Sequence, residues 1–300
     1  MPEGDTIHKL AAALAPRWVG QAPQRVELKT ADGAALSGRR IHSVMARGKH
    51  LLIAFEHGIT LRTHLGMYGS WHRYGLAEPW QKPRRQASAT LVIGAEVYVC
   101  FNAKECEILR TDGIRERTLK ARLSVDLLER QADLAAVPAR AREFCEPDTP
   151  MTDVLLDQRV ACGIGNVYKS ELLFLHRLHP LAPLGTVSDA VLLTLYRNAA
   201  VLLDRNLRPG PRVTRFENDA GGRLWVYRRA GLPCFECGSA IHYRRCGKDW
   251  RSTYWCPACQ PDTALGVGWI KRGSQAASPD VPASDADRRP SARRLRRPRS

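Results

Sequence analysis

The chain has no apolar run of the roughly 18 residues that a membrane-spanning helix requires. Its first residues also lack the apolar core of a secretion signal, so a cytoplasmic protein is expected and no membrane role. No internal repeat is apparent. Acidic residues are in short supply: 30 Asp and Glu stand against 46 Lys and Arg, a formal charge of +16. That excess suits a polyanionic partner such as nucleic acid, although a very basic soluble enzyme would show it too. Nine cysteines would be an odd number for a secreted disulfide scaffold, and four of them fall in metal-binding spacing. The others, Cys100, Cys106, Cys145, Cys162 and Cys246, read as reduced thiols.

Three hundred residues with 44% hydrophobic content allow about two domains with sizeable cores. Between residues 25 and 110 the apolar pattern is short and alternating. Strands are expected at Arg25–Leu28, Ile41–Ala46, Leu51–Phe55, Ile59–His64, Ala89–Ile93, Val97–Phe101 and Cys106–Arg110. Tight turns at Glu56-His57-Gly58 and Gly94-Ala95 favour antiparallel hairpins and a sandwich, with Pro79–Arg85 as a loop. Beyond Pro150 the period becomes helical: Val154, Leu155 and Val160 in one helix, Leu172, Leu173 and Leu175 in another, and a longer one from Val191 to Leu203 after Ser188. Residues 261–300 are rich in Ala, Ser, Pro and Arg, with seven arginines and no acid from Arg288 to Ser300, and read as a disordered tail.

The chain begins Met1-Pro2-Glu3-Gly4-Asp5-Thr6. Removal of the initiator methionine would leave Pro2 as a terminal secondary amine, which titrates near pH ~8 and can form a Schiff base with a sugar aldehyde carbon. Ile7, Leu10, Ala11 and Leu14 follow at helical spacing. Pro2 and Glu3 therefore stand at a helix start, whose positive end disfavours an ammonium and favours a carboxylate, and Glu3 is placed as a proton carrier beside the nucleophile. Alone, the same residues also describe a frayed terminus.

Cys234-Phe235-Glu236-Cys237 and Cys256-Pro257-Ala258-Cys259 form two C-x2-C pairs, the spacing of a tetrahedral zinc hairpin. Four thiolates leave no position for water, so one structural Zn2+ is expected and no hydrolytic chemistry. Arg244, Arg245, Lys248 and Arg251 between the pairs form a cluster of the kind that meets phosphates.

The terminal Pro2-Glu3, the segment Ala161-Cys162-Gly163-Ile164-Gly165-Asn166-Val167-Tyr168 and the hairpin ending Trp255-Cys256-Pro257-Ala258-Cys259-Gln260 occur in that order. Together they resemble the formamidopyrimidine-DNA glycosylase and endonuclease VIII family over residues 1–260. The resemblance implies an α+β multidomain fold: an antiparallel β-sandwich with an N-terminal helix over residues 2–130, a helix-two-turn-helix domain over 131–225 and a zinc finger over 226–260. It implies a base-excision repair enzyme, monomeric and nucleoid-associated, acting on double-stranded DNA that carries a damaged base or an abasic site. Pro2 would attack the sugar of an extruded nucleotide, Glu3 would carry protons, and Lys49 would contact phosphate and assist. Met67, in His64-Leu65-Gly66-Met67-Tyr68-Gly69, would fill the gap left by the extruded base. Asn166 and Arg251 would hold the flanking phosphates. Asp5-Thr6 and Cys100–Glu107 look like the endonuclease VIII branch, which favours oxidised pyrimidines, and the Arg-Arg-Phe pattern of the purine branch is absent. The Leu-Gly-Met loop is nearer the purine branch, so oxidised purines remain an alternative, as does a chain acting mainly as a lyase. A non-catalytic, zinc-containing DNA-binding regulator is the reading from another class.

Overall fold

The computed structural model describes residues 1–217, 219 and 221–262. Helix α1 (Gly4–Trp18) opens the chain. Its stripe at Ile7, Ala11 and Leu14 is buried as the helical spacing requires, and Trp18 extends the stripe by one turn. Eight strands follow: β1 (Arg25–Leu28), β2 (Ile41–Arg47), β3 (His50–Phe55), β4 (Ile59–His64), β5 (Ser70–Gly75), β6 (Ala87–Ile93), β7 (Glu96–Phe101) and β8 (Glu105–Arg110). They pair antiparallel in two sheets, ordered β1-β6-β7-β5 and β2-β3-β4-β8. Leu36, Ile41, Ile53, Leu61, Leu91 and Tyr98 fill the core with the apolar face of α1, and Trp18 meets Trp71 and Tyr98 edge-on.

The seven expected strands are present, and β5 is an eighth. Its sequence, Ser-Trp-His-Arg-Tyr-Gly, buries only Tyr74, so it carries no clear alternation. Ladder pairing with β7, from Ser70↔Phe101 to Gly75↔Glu96, makes it a strand.

After the sandwich come α2 (Ile114–Arg122), β9 (Val125–Asp126), α3 (Val137–Phe144), α4 (Met151–Leu156), β10 (Ala161–Cys162), α5 (Asn166–Leu175) and α6 (Asp189–Arg205). Helix α6 begins where Ser188 Oγ accepts from the Val191 amide at 3.4 Å. The helix expected to join Val154 to Val160 stops at Leu156. Asp157 turns the chain by accepting the Arg159 amide at 2.9 Å, and Val160 enters the core from the turn that follows. Helix α2, dense in charge, has no apolar stripe that sequence reading could find. Met151, Val154, Leu172, Leu195, Tyr196 and Leu203 form the helical core, to which Leu127 of the preceding segment belongs.

The last pair of strands, β11 (His242–Cys246) and β12 (Arg251–Trp255), is an antiparallel hairpin. No helix among the described residues is long and apolar enough to cross a membrane. The expected tail lies outside the described residues except for Pro261 and Asp262.

Candidate active site and nucleic-acid interface

Glu3 caps α1 in an extended conformation and is fully buried. Its carboxylate accepts from the backbone amides of Gly165, Val167 and Tyr168 at 3.0, 2.8 and 3.3 Å, so it also sits on the N-terminus of α5. One anion thus serves two helix starts, a favourable place for a negative charge. Gly165 must be glycine: a Cβ there would lie 2.4 Å from Glu3 Cδ. The amides that follow the Gly163-Ile164-Gly165 step therefore bind the protein's own carboxylate. Gly163, at φ +118°, brings its carbonyl to within 2.9 Å of the Gly4 amide, which joins the two chain segments directly.

Arg212 encloses this terminus from the other side. Its guanidinium donates to Asp5 Oδ1 and Oδ2 at 2.5 and 3.0 Å and to Thr6 Oγ1 at 3.1 Å, and lies 3.6 Å from Glu3 Oε1. It also reaches the Met1 carbonyl oxygen at 3.5 Å and covers the Tyr168 ring. Burial and then the Arg212 charge lower the terminal amine of the unprocessed chain below its ordinary value, against the pull of Glu3 and Asp5.

Lys49 stands in the turn between β2 and β3. Gly48, at φ +55°, presses on Cys162, whose Cβ would be 2.7 Å from any added Cβ. The Gly48 amide donates to Asp126 Oδ2 at 2.6 Å, and His8 Nε2 lies 3.2 Å from the same oxygen. These contacts fix the turn against β9 and β10. Burial lowers the Lys49 ammonium to about 8, with Glu3 acting in the opposite direction and Arg251 adding to the lowering.

Asn166, the first residue of α5, is directed toward the hairpin. Its Nδ2 donates to the Ser252 carbonyl at 2.8 Å, and its Oδ1 accepts from Lys169 Nζ at 2.8 Å. Lys169 is fully buried and also donates to Ser252 O and Thr253 Oγ1, at 3.1 and 2.7 Å. Three acceptors make its burial tolerable. They also tie α5 to β12, which begins with Arg251.

Arg251 meets the expected wedge: its Nη1 is 3.6 Å from Met67 Sδ, while Met67 is half exposed at the tip of the β4–β5 connection. Tyr68 beside it is exposed. Lys49 thus lies within electrostatic reach of Glu3 and Arg251, Asn166 bonds to the residue after Arg251, and Arg251 touches Met67, with Pro2 next to Glu3 in the chain. Cys234, Cys237, Cys256 and Cys259 also converge, with sulfurs all within 4.8 Å of one another. Tetrahedral zinc with bonds near 2.3 Å needs sulfurs about 3.8 Å apart, so this donor set fits the ion.

Sequence reasoning missed Arg212, Lys169, Asp126 and Glu171. Glu171 is a buried carboxylate that accepts the amides of Trp225, Val226 and Tyr227 at 2.7, 3.0 and 2.7 Å and so anchors the strap that returns toward Arg212. The one available signal was a charged residue in an otherwise apolar helix, at Lys169 and Glu171 of α5.

Residues 1–115 match the formamidopyrimidine-DNA glycosylase N-terminal domain, and residues 123–218 match the formamidopyrimidine-DNA glycosylase H2TH domain. The chain belongs to the formamidopyrimidine-DNA glycosylase family. Within that family it resembles endonuclease VIII proteins. It is 36% identical over 276 residues to a probable endonuclease 8 2 of Streptomyces coelicolor, covering 89% of this chain and 97% of the relative. It is also 36% identical over 267 residues to DNA-(apurinic or apyrimidinic site) lyase Nei2 of Mycolicibacterium smegmatis, covering 87% of this chain and 99% of the relative. Among solved structures, the Lactococcus lactis Fpg complex with DNA containing an abasic site superposes with a TM-score of 0.73 at 22% identity, over 86% of this chain and 99% of that one. That likeness concerns the fold.

Proposed function

We propose that this protein excises oxidised pyrimidines from double-stranded DNA through a Schiff base on Pro2 and then cuts the strand by elimination. It is a DNA glycosylase and abasic-site lyase of base excision repair, and not a regulator that keeps only the fold. The observation that carries the mechanism is the enclosure of the first residues. Glu3 is held by three amides, and Arg212 and Lys49 bring positive charge to the same spot.

With Met1 removed, the Pro2 nitrogen attacks C1′ of the extruded nucleotide; the N–C1′ bond forms and the bond from C1′ to the base breaks, the departing base taking a proton from water. The Glu3 carboxylate takes the proton released by the Pro2 nitrogen and passes it to the ring oxygen as the sugar opens to an iminium. The imine acidifies the C2′ proton, whose loss expels the 3′ phosphate. Lys49 and Arg251 hold the phosphates flanking the lesion, Asn166 orients the hairpin that carries Arg251, and Met67 occupies the vacated stack. Zinc bound by Cys234, Cys237, Cys256 and Cys259 would keep that hairpin folded and take no part in bond cleavage. The division into domains at 2–130, 131–225 and 226–260 belongs to the same reading.

The names of the relatives and the lack of an Arg-Arg-Phe run in Phe101–Glu107 support pyrimidines. The Leu65-Gly66-Met67 tip supports the second reading, oxidised purines. Borohydride trapping decides both questions: reduction of the imine leaves protein covalently attached to abasic DNA. A panel carrying thymine glycol, dihydrouracil and 8-oxoguanine ranks the lesions, with the pyrimidines expected first. A protein that never cross-links to abasic DNA would overturn the mechanism, and preferred excision of 8-oxoguanine would overturn the substrate assignment.

A further inference from the structure

Beyond the wedge loop, on the side away from Lys49, the end of the sandwich carries a cavity of about 450 Å³ lined by Lys29, Arg85, Gln86, Ser88, Asn102 and Lys104, with Thr30 at its edge. No carboxylate lines it. Among the described residues, neither Lys29 nor Arg85 has an acidic partner, and Lys104 only approaches Glu105, at 4.0 Å. The framework behind these cations is built: Thr30 Oγ1 donates to the Cys106 carbonyl at 2.7 Å, Asn102 Nδ2 donates to Gln86 Oε1 at 3.2 Å, and Ser88 Oγ accepts the Ala103 amide at 3.0 Å.

The place of the cavity follows from strand order. In the sheet β2-β3-β4-β8, the β2–β3 turn holds Lys49, the end of β4 leads into Met67, and β8 begins at Glu105 opposite His64. The Lys104 amide donates to the His64 carbonyl at 2.9 Å, and the Lys104 stem lies so close to Gly66 that an added Cβ would be 2.8 Å from it. Along this end of the sandwich the order is therefore Lys49, wedge, Lys104, then Lys29 and Arg85. A duplex whose damaged strand lies at Pro2 and Lys49, with Met67 inserted in its stack, must run its other strand past the far side of the wedge.

We propose that the Lys29–Arg85–Lys104 cavity binds a phosphate of the undamaged strand and thereby makes the enzyme select duplex over single-stranded DNA. The inference rests on the glycosylase reading given above. Phosphate is the chemistry that suits three cations ringed by neutral amide and hydroxyl groups, with no acid in the cavity lining.

The test compares wild type with the double variant Lys29→Ala/Arg85→Ala, both exposed positions whose loss leaves no buried group unpaired. Binding to a duplex bearing an uncleavable abasic analogue, and to the same damaged strand alone, is measured across a salt series. For the duplex, the slope of log affinity against log salt is expected to become shallower by about 1, reflecting the one phosphate that is no longer neutralised. For the single strand, affinity and slope are expected to match wild type. An unchanged duplex slope, or equal losses on both DNAs, would overturn the proposal; the second outcome would assign these cations to general attraction. Failure of wild type to trap on abasic DNA would count against the glycosylase reading alone, because the salt comparison reads affinity and not chemistry.

Discussion

Arg212 carries the heaviest load of any side chain that sequence reading overlooked. It neutralises Asp5, stands beside the buried Glu3 and touches the carbonyl attached to the Pro2 nitrogen. Removing one partner of such a buried set leaves uncompensated charge, so Arg212→Gln should destabilise the fold by about 3–5 kcal/mol, measurable by urea unfolding. The same variant tests the electrostatics. Arg212 lowers the Met1 amine of the unprocessed chain, and a positive charge this close to Glu3 should act in the same direction on the Pro2 amine once Met1 is removed, so its loss should move the trapping profile to higher pH. A profile unmoved by the substitution would mean that Arg212 acts on structure alone. At Pro2 itself, Pro2→Gly or a blocked terminus should abolish covalent trapping while DNA affinity stays near wild type, since affinity comes mainly from phosphate contacts. Burial brings the Lys49 ammonium down to about 8, so its charge is present below that pH and lost above it. Duplex affinity should accordingly begin to fall as pH rises through about 8, and Lys49→Arg, which stays charged, should remove the fall.

At the level of elements, the start of α5 is where the site is assembled. Gly165→Ala would place a methyl 2.4 Å from Glu3 Cδ and force the carboxylate off its three amides. Base excision should drop at least ~100-fold, on the scale of losing a positioned general acid, in single-turnover assays. Retention of wild-type rate would show that Glu3 needs no such support. Lys169→Met would leave Asn166 Oδ1 without its donor, take the ammonium from Thr253 Oγ1 and loosen the hairpin, costing about 1–3 kcal/mol in unfolding experiments and weakening DNA binding. Cys256→Ser should eliminate one equivalent of bound metal, read by elemental analysis, and weaken DNA binding as the hairpin that presents Arg251 comes apart.

On the scale of the whole molecule, the +16 charge makes association with DNA strongly salt-dependent. Deleting residues 273–300, which include the seven arginines from Arg288 onward, should flatten that dependence and leave single-turnover chemistry on saturated substrate unchanged. An identical salt slope for the truncated protein would assign the tail to solubility. The sandwich, the long helix after Ser188 and the four-cysteine hairpin were legible along the chain because each is written in local signals: alternation, helical period, turn residues and ligand spacing. Strand β5 and helix α2 were not, since the first owes its form to ladder pairing and the second carries charge in place of an apolar face. For the candidate site, the sequence alone determined which candidate residues occur and in what order, from Pro2-Glu3 to the last cysteine pair. Only the tertiary structure decided that the amides after Gly163 hold Glu3, that Asn166 bonds to Ser252, and that Arg212 closes over the terminus. Those partners lie between 86 and 207 residues apart along the chain, and no local propensity encodes a contact that forms only when two separate cores pack together.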